Sequence, residues 1–207
     1  MNPTLSPAYP IKALAVYAAI MLVVIVKRGA HPFRRFGPAN QVTSIRALLV
    51  ALIAGLIGEA ADPSVVWIAI AGAASATLLD GLDGWLARRT HMESGFGARF
   101  DMEMDALLIQ ALAILVWQFG KAGPWIIAAG LLRYAFVGAG LLLPWMREPL
   151  PSTLRGKLIC VVQIAGLGLA LWPGIDPPTS SAIAAISLAA LCWSFFIDTL
   201  WLYRCSG

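Results

Sequence analysis

Long apolar blocks alternate with short breaks along this chain, and the blocks set its architecture. Seven of them, near residues 9–26, 40–57, 64–88, 97–119, 124–144, 155–172 and 180–203, approach the length of about 20 residues that a helix needs to cross a bilayer. The breaks read KRGAHPFRRFGP, GEAADPS, RRTHMESG, GKAGP, PWMREPLPS and PGIDPPTSS, each rich in Gly, Pro or charge, which stop a helix. No repeat, low-complexity tract or second domain interrupts the pattern. The expected fold is all-α, a polytopic transmembrane helical bundle.

Composition agrees. Of 207 residues, 59% are hydrophobic and 13% charged, with mean hydropathy +0.78; soluble domains carry about 25% charged residues. Intrinsic disorder and nucleic-acid binding are excluded as leading readings, despite a net charge of +4. The first block lacks a basic start, and KRGAHPF after it is no small-residue cleavage site, so it is expected to be a retained helix and not a signal peptide. Cys160, Cys192 and Cys205 match no zinc or disulfide spacing and read as small apolar packing residues.

Charge orients the bundle. Lys27, Arg28, Arg34, Arg35, Arg46, Arg88, Arg89, Arg99, Arg147, Arg155, Lys157 and Arg204 fall at one set of alternating ends; Lys12 and Lys121 fall at the other, and Arg133 lies inside a block. The rich end is expected to face the cytoplasm, with the N-terminus outside and the C-terminus inside. The basic stretch from Lys27 to Phe36 suits either an interfacial segment on an anionic leaflet or an ordinary loop. Arg89 reads as a boundary marker and His91 as a solvated loop residue.

Only 11 residues are acidic. Glu59, Asp62 and Asp176 fall in outer loops, Glu148 in an inner one, and Asp198 near the inner end of the last block, with Arg204 as its expected partner. The other six, Asp80, Asp83, Glu93, Asp101, Glu103 and Asp105, lie within 26 positions. Asp80 and Asp83 are three apart, and Asp101 and Asp105 four apart, so each pair shares a helical face. The short loop between their helices makes them expected antiparallel neighbours whose faces converge. Glu103 points away, as a solvated or rim residue. A charge deep in a bilayer costs at least about 2.5–3.5 kcal/mol on insertion scales, so four aspartates require compensation. Divalent cations supply it, because carboxylate oxygens are the preferred ligands of hard ions such as Mg2+ and Mn2+. A pair of such ions also clamps a phosphoryl group.

Together the residues read Asp80-x-x-Asp83-Gly84-x-x-Ala87-Arg88, eight residues, then Gly97-x-x-x-Asp101-x-x-x-Asp105. This resembles the signature of the CDP-alcohol phosphotransferase family at every defined position. Upstream, Pro38 to Arg46 resembles the PN-x-x-T-x-x-R element of many members, with one residue inserted between Pro38 and Asn40. The resemblance covers about four-fifths of the chain. It implies an N-terminal membrane helix and basic juxtamembrane segment over 1–39, and a six-helix domain over 40–207.

The resemblance further implies transfer of a phosphatidyl group from CDP-diacylglycerol to an alcohol, with release of CMP, by a phospholipid-synthesis enzyme of the inner (plasma) membrane. Carried over residue by residue, Asp80, Asp83, Asp101 and Asp105 would hold two divalent ions, Mg2+ or Mn2+, with Asp105 also the catalytic base. Asn40, Thr43, Ser44, Arg46, Gly84, Ala87, Arg88, Ser94 and Gly97 would bind the CDP donor. A homodimer is the family expectation.

For the acceptor, Arg133, Arg155 and Lys157 form a basic trio suited to an acceptor phosphate. The Gly156-Lys157 pair followed by Gln163 resembles phosphatidylglycerophosphate synthases; where those carry a second arginine, this chain reads Val137 to Leu141. Glycerol 3-phosphate is the expected acceptor, with inositol phosphate, inositol, serine and choline as alternatives. Two other classes are weighed against the enzyme: a cation transporter, which would spread its acids over several depths, and a non-catalytic member of the same fold.

Overall fold

The computed structural model describes residues 5–27, 38–90, 95–147 and 153–205. Its described residues form seven α-helices: α1 (Tyr9–Lys27), α2 (Pro38–Gly55), α3 (Pro63–Thr90), α4 (Gly95–Gln118), α5 (Ala128–Leu142), α6 (Leu154–Leu171) and α7 (Thr179–Cys205). Every predicted block is a helix. The fifth departs from the reading at its start: Pro124–Ile127 is a 3₁₀ turn before α5, because Pro124 enters directly from the Gly120–Gly123 turn. Five helices, α1, α3, α6, α7 and α5 with its 3₁₀ turn, are long and apolar enough to cross a membrane. In α2 a shorter apolar stretch spans Asn40–Gly55.

Local chemistry sets the ends. Asp62 accepts a hydrogen bond from the Ser64 amide at 2.8 Å, capping α3 ahead of Pro63 at its first position. α4 closes with Gly120 at φ +69, where Lys121 N–H donates to Val116 at 2.9 Å and Gly120 N–H to Trp117 at 3.0 Å. This is the paired bonding of a Schellman end, which favours glycine at the left-handed residue. Thr153 caps α6 by accepting from the Gly156 amide at 3.2 Å.

The interior is built from small residues. Ala69, Ala73 and Ala76 of α3 are buried in one core cluster with Val50 and Ile53 of α2, and a Cβ on Gly72 would lie 3.2 Å from Ile53, so these helices pack at close range. Between α6 and α7 a Cβ on Gly166 would lie 2.7 Å from the Ser187 Cβ. Large side chains such as Leu78, Leu142, Leu154 and Ile186 point outward, as lipid solvent permits. α4 is central and touches α2, α5 and α6, burying Leu108, Leu112, Leu115 and Val116.

Opposite the basic-rich end, both lysines act as ties. Lys12 donates to the Ile57 carbonyl at 2.8 Å and to Glu59 at 2.6 Å, and Glu59 also accepts from the Ser6 amide and hydroxyl, each at 2.7 Å. Glu59, read as a loop acid, is therefore buried, and Lys12 and Ser6 hold its carboxyl down at about 2. Lys121 binds Asp176 at 2.8 Å and the Ile175 carbonyl at 2.7 Å.

Candidate active site

The site assembles where α2, α3, α4 and α6 meet. Asn40, Thr43 and Arg46 recur every three residues on the buried face of α2; Ser44, one step aside, is half-buried and bonds back to the Asn40 carbonyl at 2.9 Å. Asp80 comes from the C-terminal half of α3, and Asp101 and Asp105 from one face of α4. One oxygen of each of these three carboxylates lies within 4.8 Å of the others.

The convergence differs in one respect from the expected side-by-side pairing. α3 and α4 hardly touch along their lengths, and α2 and α6 bridge them. The carboxylates thus face one another across a cavity of about 30 Å³ lined by Thr77, Asp80, Asp101, Asp105, Lys157, Cys160, Val161 and Ile164. Packed helices would leave no such room.

Arg46 is the other component. Its side chain is 1% exposed, yet its guanidinium meets Asp80 at 3.0 Å, Asp105 at 2.5 Å, and Asp101. The carboxylates are 23–30% exposed, so they lie between the cavity and the arginine behind them. Arg46, expected from sequence at the donor, engages all three acids.

The remaining site residues divide. Lys157 lines the cavity. Arg155 instead pairs with Asp198, which replaces Arg204 as the expected partner because α6 and α7 pack together at that end. Arg133 binds Glu103 at 2.6 Å and contacts the Met102 sulfur at 3.7 Å; Glu103 is two residues from both aspartates, on the other side of α4, so Arg133 lies outside the cavity lining. Gly84 and Gly97 are half-buried on α3 and α4. Asp83, Ala87 and Arg88 fall within α3, with their side chains outside what is described; Ser94 lies outside the described residues. Arg89 stacks over the Trp85 ring at 4.9 Å.

Two polar lining residues were missed, along with the apolar Val161 and Ile164. Cys160 lines the cavity together with Asp105, and Thr77 bonds to the Ala73 carbonyl at 2.9 Å. Their spacing was the available signal: Thr77 is three before Asp80, and Cys160 three after Lys157.

The donor set consists of oxygens from three carboxylates, with room for about two water-sized occupants. It fits a hard divalent cation: the ligands are the type Mg2+ and Mn2+ prefer, and Arg46 with Lys157 still leaves the three carboxylates in excess.

Residues 36–196 match the CDP-alcohol phosphatidyltransferase family, over the segment that carries Arg46, the aspartates and Lys157. The chain belongs to that family. It is similar to the probable phosphatidylglycerophosphate synthase of Mycobacterium tuberculosis, with 30% identity over 155 residues covering 74% of each chain. It is also 30% identical over 117 residues to the CDP-diacylglycerol–glycerol-3-phosphate 3-phosphatidyltransferase of Bacillus subtilis, covering 55% of this chain and 61% of that one. The chloroplastic/mitochondrial enzyme of that name from Arabidopsis thaliana is 33% identical over 100 residues, 45% of this chain and 33% of its own. No solved structure gives a significant match. This CDP-alcohol phosphatidyltransferase is accordingly an integral membrane transferase of phospholipid biosynthesis.

Proposed function

We propose that this enzyme moves the phosphatidyl group of CDP-diacylglycerol to glycerol 3-phosphate and releases CMP. The observation that carries the reading is the convergence of Asp80, Asp101 and Asp105 with Lys157 on one cavity. Its similarity to relatives named for glycerol 3-phosphate supports that acceptor.

Asp80, Asp101 and Asp105, joined by Asp83, would hold two divalent cations, Mg2+ or Mn2+. When bound, these supply charge that offsets the diphosphate and the departing CMP. Asp105 takes the proton from the acceptor hydroxyl; that oxygen forms the new bond to the phosphatidyl phosphorus, and the bond from this phosphorus to the CMP oxygen breaks. Lys157, the cation of the basic trio that lines the cavity, pairs with the acceptor phosphate. Asn40, Thr43, Ser44, Gly84, Ala87, Arg88, Ser94 and Gly97 form the donor's nucleotide side. The basic-rich end, and with it the site, faces the cytoplasm, in the inner membrane and in a homodimer.

The test is CMP release by purified enzyme from CDP-diacylglycerol with glycerol 3-phosphate, inositol phosphate, inositol, serine or choline. Glycerol 3-phosphate should give the highest kcat/KM. A higher value for another alcohol would replace the acceptor reading while leaving the donor chemistry intact.

A further inference from the structure

The buried arginine of the site has a role that donor binding does not describe. Arg46 is absent from the cavity lining and its side chain is 1% exposed, so a donor in the cavity meets the carboxylates first. Its guanidinium reaches acids on two other helices, through Oδ1 of Asp80 on α3 and Oδ1 of Asp101 and Asp105 on α4. All three acids line the cavity themselves. A guanidinium taken out of water is unfavourable unless well paired, and three neighbouring carboxylates repel one another. Arg46 and the acids relieve both costs together.

We propose that Arg46 is the fixed counter-ion of the carboxylate centre. It holds the three aspartates together in the metal-free protein, and it weakens the centre's hold on divalent cations. The second effect is electrostatic: a positive charge in contact with all three ligands opposes any further positive charge placed on them. Metal retention then depends on the negative diphosphate of the donor, which restores the attraction that Arg46 removes. The inference rests on the reading of these aspartates as metal ligands.

The experiment compares metal-stripped wild type, Arg46→Gln and Arg46→Lys in lipid nanodiscs without substrate. Mn2+ binding is read by the electron paramagnetic resonance of the free ion, and stability by melting with EDTA or Mn2+. Arg46→Gln should bind Mn2+ at least about tenfold more tightly, melt lower in EDTA, and gain more from Mn2+ than wild type does. Arg46→Lys keeps the charge and should stay within roughly threefold of wild-type affinity. If Arg46→Gln does not fold on its own, purification with Mn2+ should recover it, since the metal supplies the missing charge; failure to recover it overturns the proposal. Unchanged or weaker Mn2+ binding by folded Arg46→Gln also overturns it, and leaves the metal reading standing if wild type binds the ion. A wild type that binds no Mn2+ removes both.

Discussion

Gly130→Ala tests whether the approach of α5 to α4 positions the helix that bears two of the site aspartates. A Cβ built on Gly130 would lie 2.4 Å from Gln110 Oε1, 2.5 Å from Gln110 Cβ and 2.6 Å from Gln110 Cα. The amide can swing away, but the Cα moves only with α4. Carbon atoms settle at about 3.5–4.0 Å, so α5 has to retreat by about 1 Å. Overpacking of this kind costs about 1–3 kcal/mol, partly offset by the roughly 0.5–1 kcal/mol that alanine gains over glycine within a helix. The net loss of about 0.5–2 kcal/mol should lower the melting temperature by about 1–8 °C for a chain of this size. The retreat also pulls Arg133, one turn along α5, from Glu103, now at 2.6 Å. Gly138 lies on the same helix with nothing within 4 Å of its built Cβ, so Gly138→Ala should melt at or slightly above wild type. Differential scanning fluorimetry in detergent, with CMP release alongside, makes the comparison. Equal melting of Gly130→Ala and Gly138→Ala would refute the packing argument.

Asp105→Asn should retain the wild-type melting profile within a few degrees but lose about 10²–10⁴-fold in CMP release; near-normal turnover would remove Asp105 as the base. Chelation with EDTA should abolish turnover, and added Mg2+ or Mn2+ should restore it; activity that survives exhaustive chelation contradicts the metal reading. Lys157→Gln should raise KM for glycerol 3-phosphate with little change in KM for CDP-diacylglycerol, and the reverse pattern would move Lys157 to the donor side. Glu59 is held well below its ordinary 4.5, at about 2, chiefly by Lys12, so its stabilising contribution is complete above about pH 4.5 and fades as pH falls toward 2. The melting difference between wild type and Glu59→Gln should shrink across that window, and a difference independent of pH would show that the Lys12 pairing contributes nothing.

Fold and site were legible to different depths. The seven helices followed from block length and from Gly, Pro and charge in the breaks, since hydropathy in a bilayer is a local property of the chain. The convergence of Asp80 with Asp101 and Asp105 followed from i, i+3 and i, i+4 spacing, which fixes a face but not the distance between faces. The cavity between α3 and α4 depends on α2 and α6 standing between them, and no spacing within either helix encodes that. Partner choice among charges was less legible still. Asp198 has Arg204 within reach in sequence, yet it pairs with Arg155 from the adjoining helix. Arg133 reads from sequence as a partner for the acceptor phosphate, whereas in the structure it pairs with Glu103 of this same chain. Cys160 looked like packing because one cysteine in an apolar run carries no pattern; only its register with Lys157 pointed toward the cavity.

The charge content of α4 bears on how this protein enters its membrane. Arg99, Asp101, Glu103 and Asp105 all fall within the first eleven residues of that helix, and acids and arginines at depth are strongly disfavoured for a segment inserting alone. The compensating charges come from elsewhere: Arg46 from a helix made earlier, Arg133 from one made later. Insertion of α4 is therefore expected to be collective, becoming favourable as α2 and then α5 offer their arginines. A variant lacking Arg46 should therefore reach the membrane in lower yield than wild type, while the fraction that inserts carries the same seven helices.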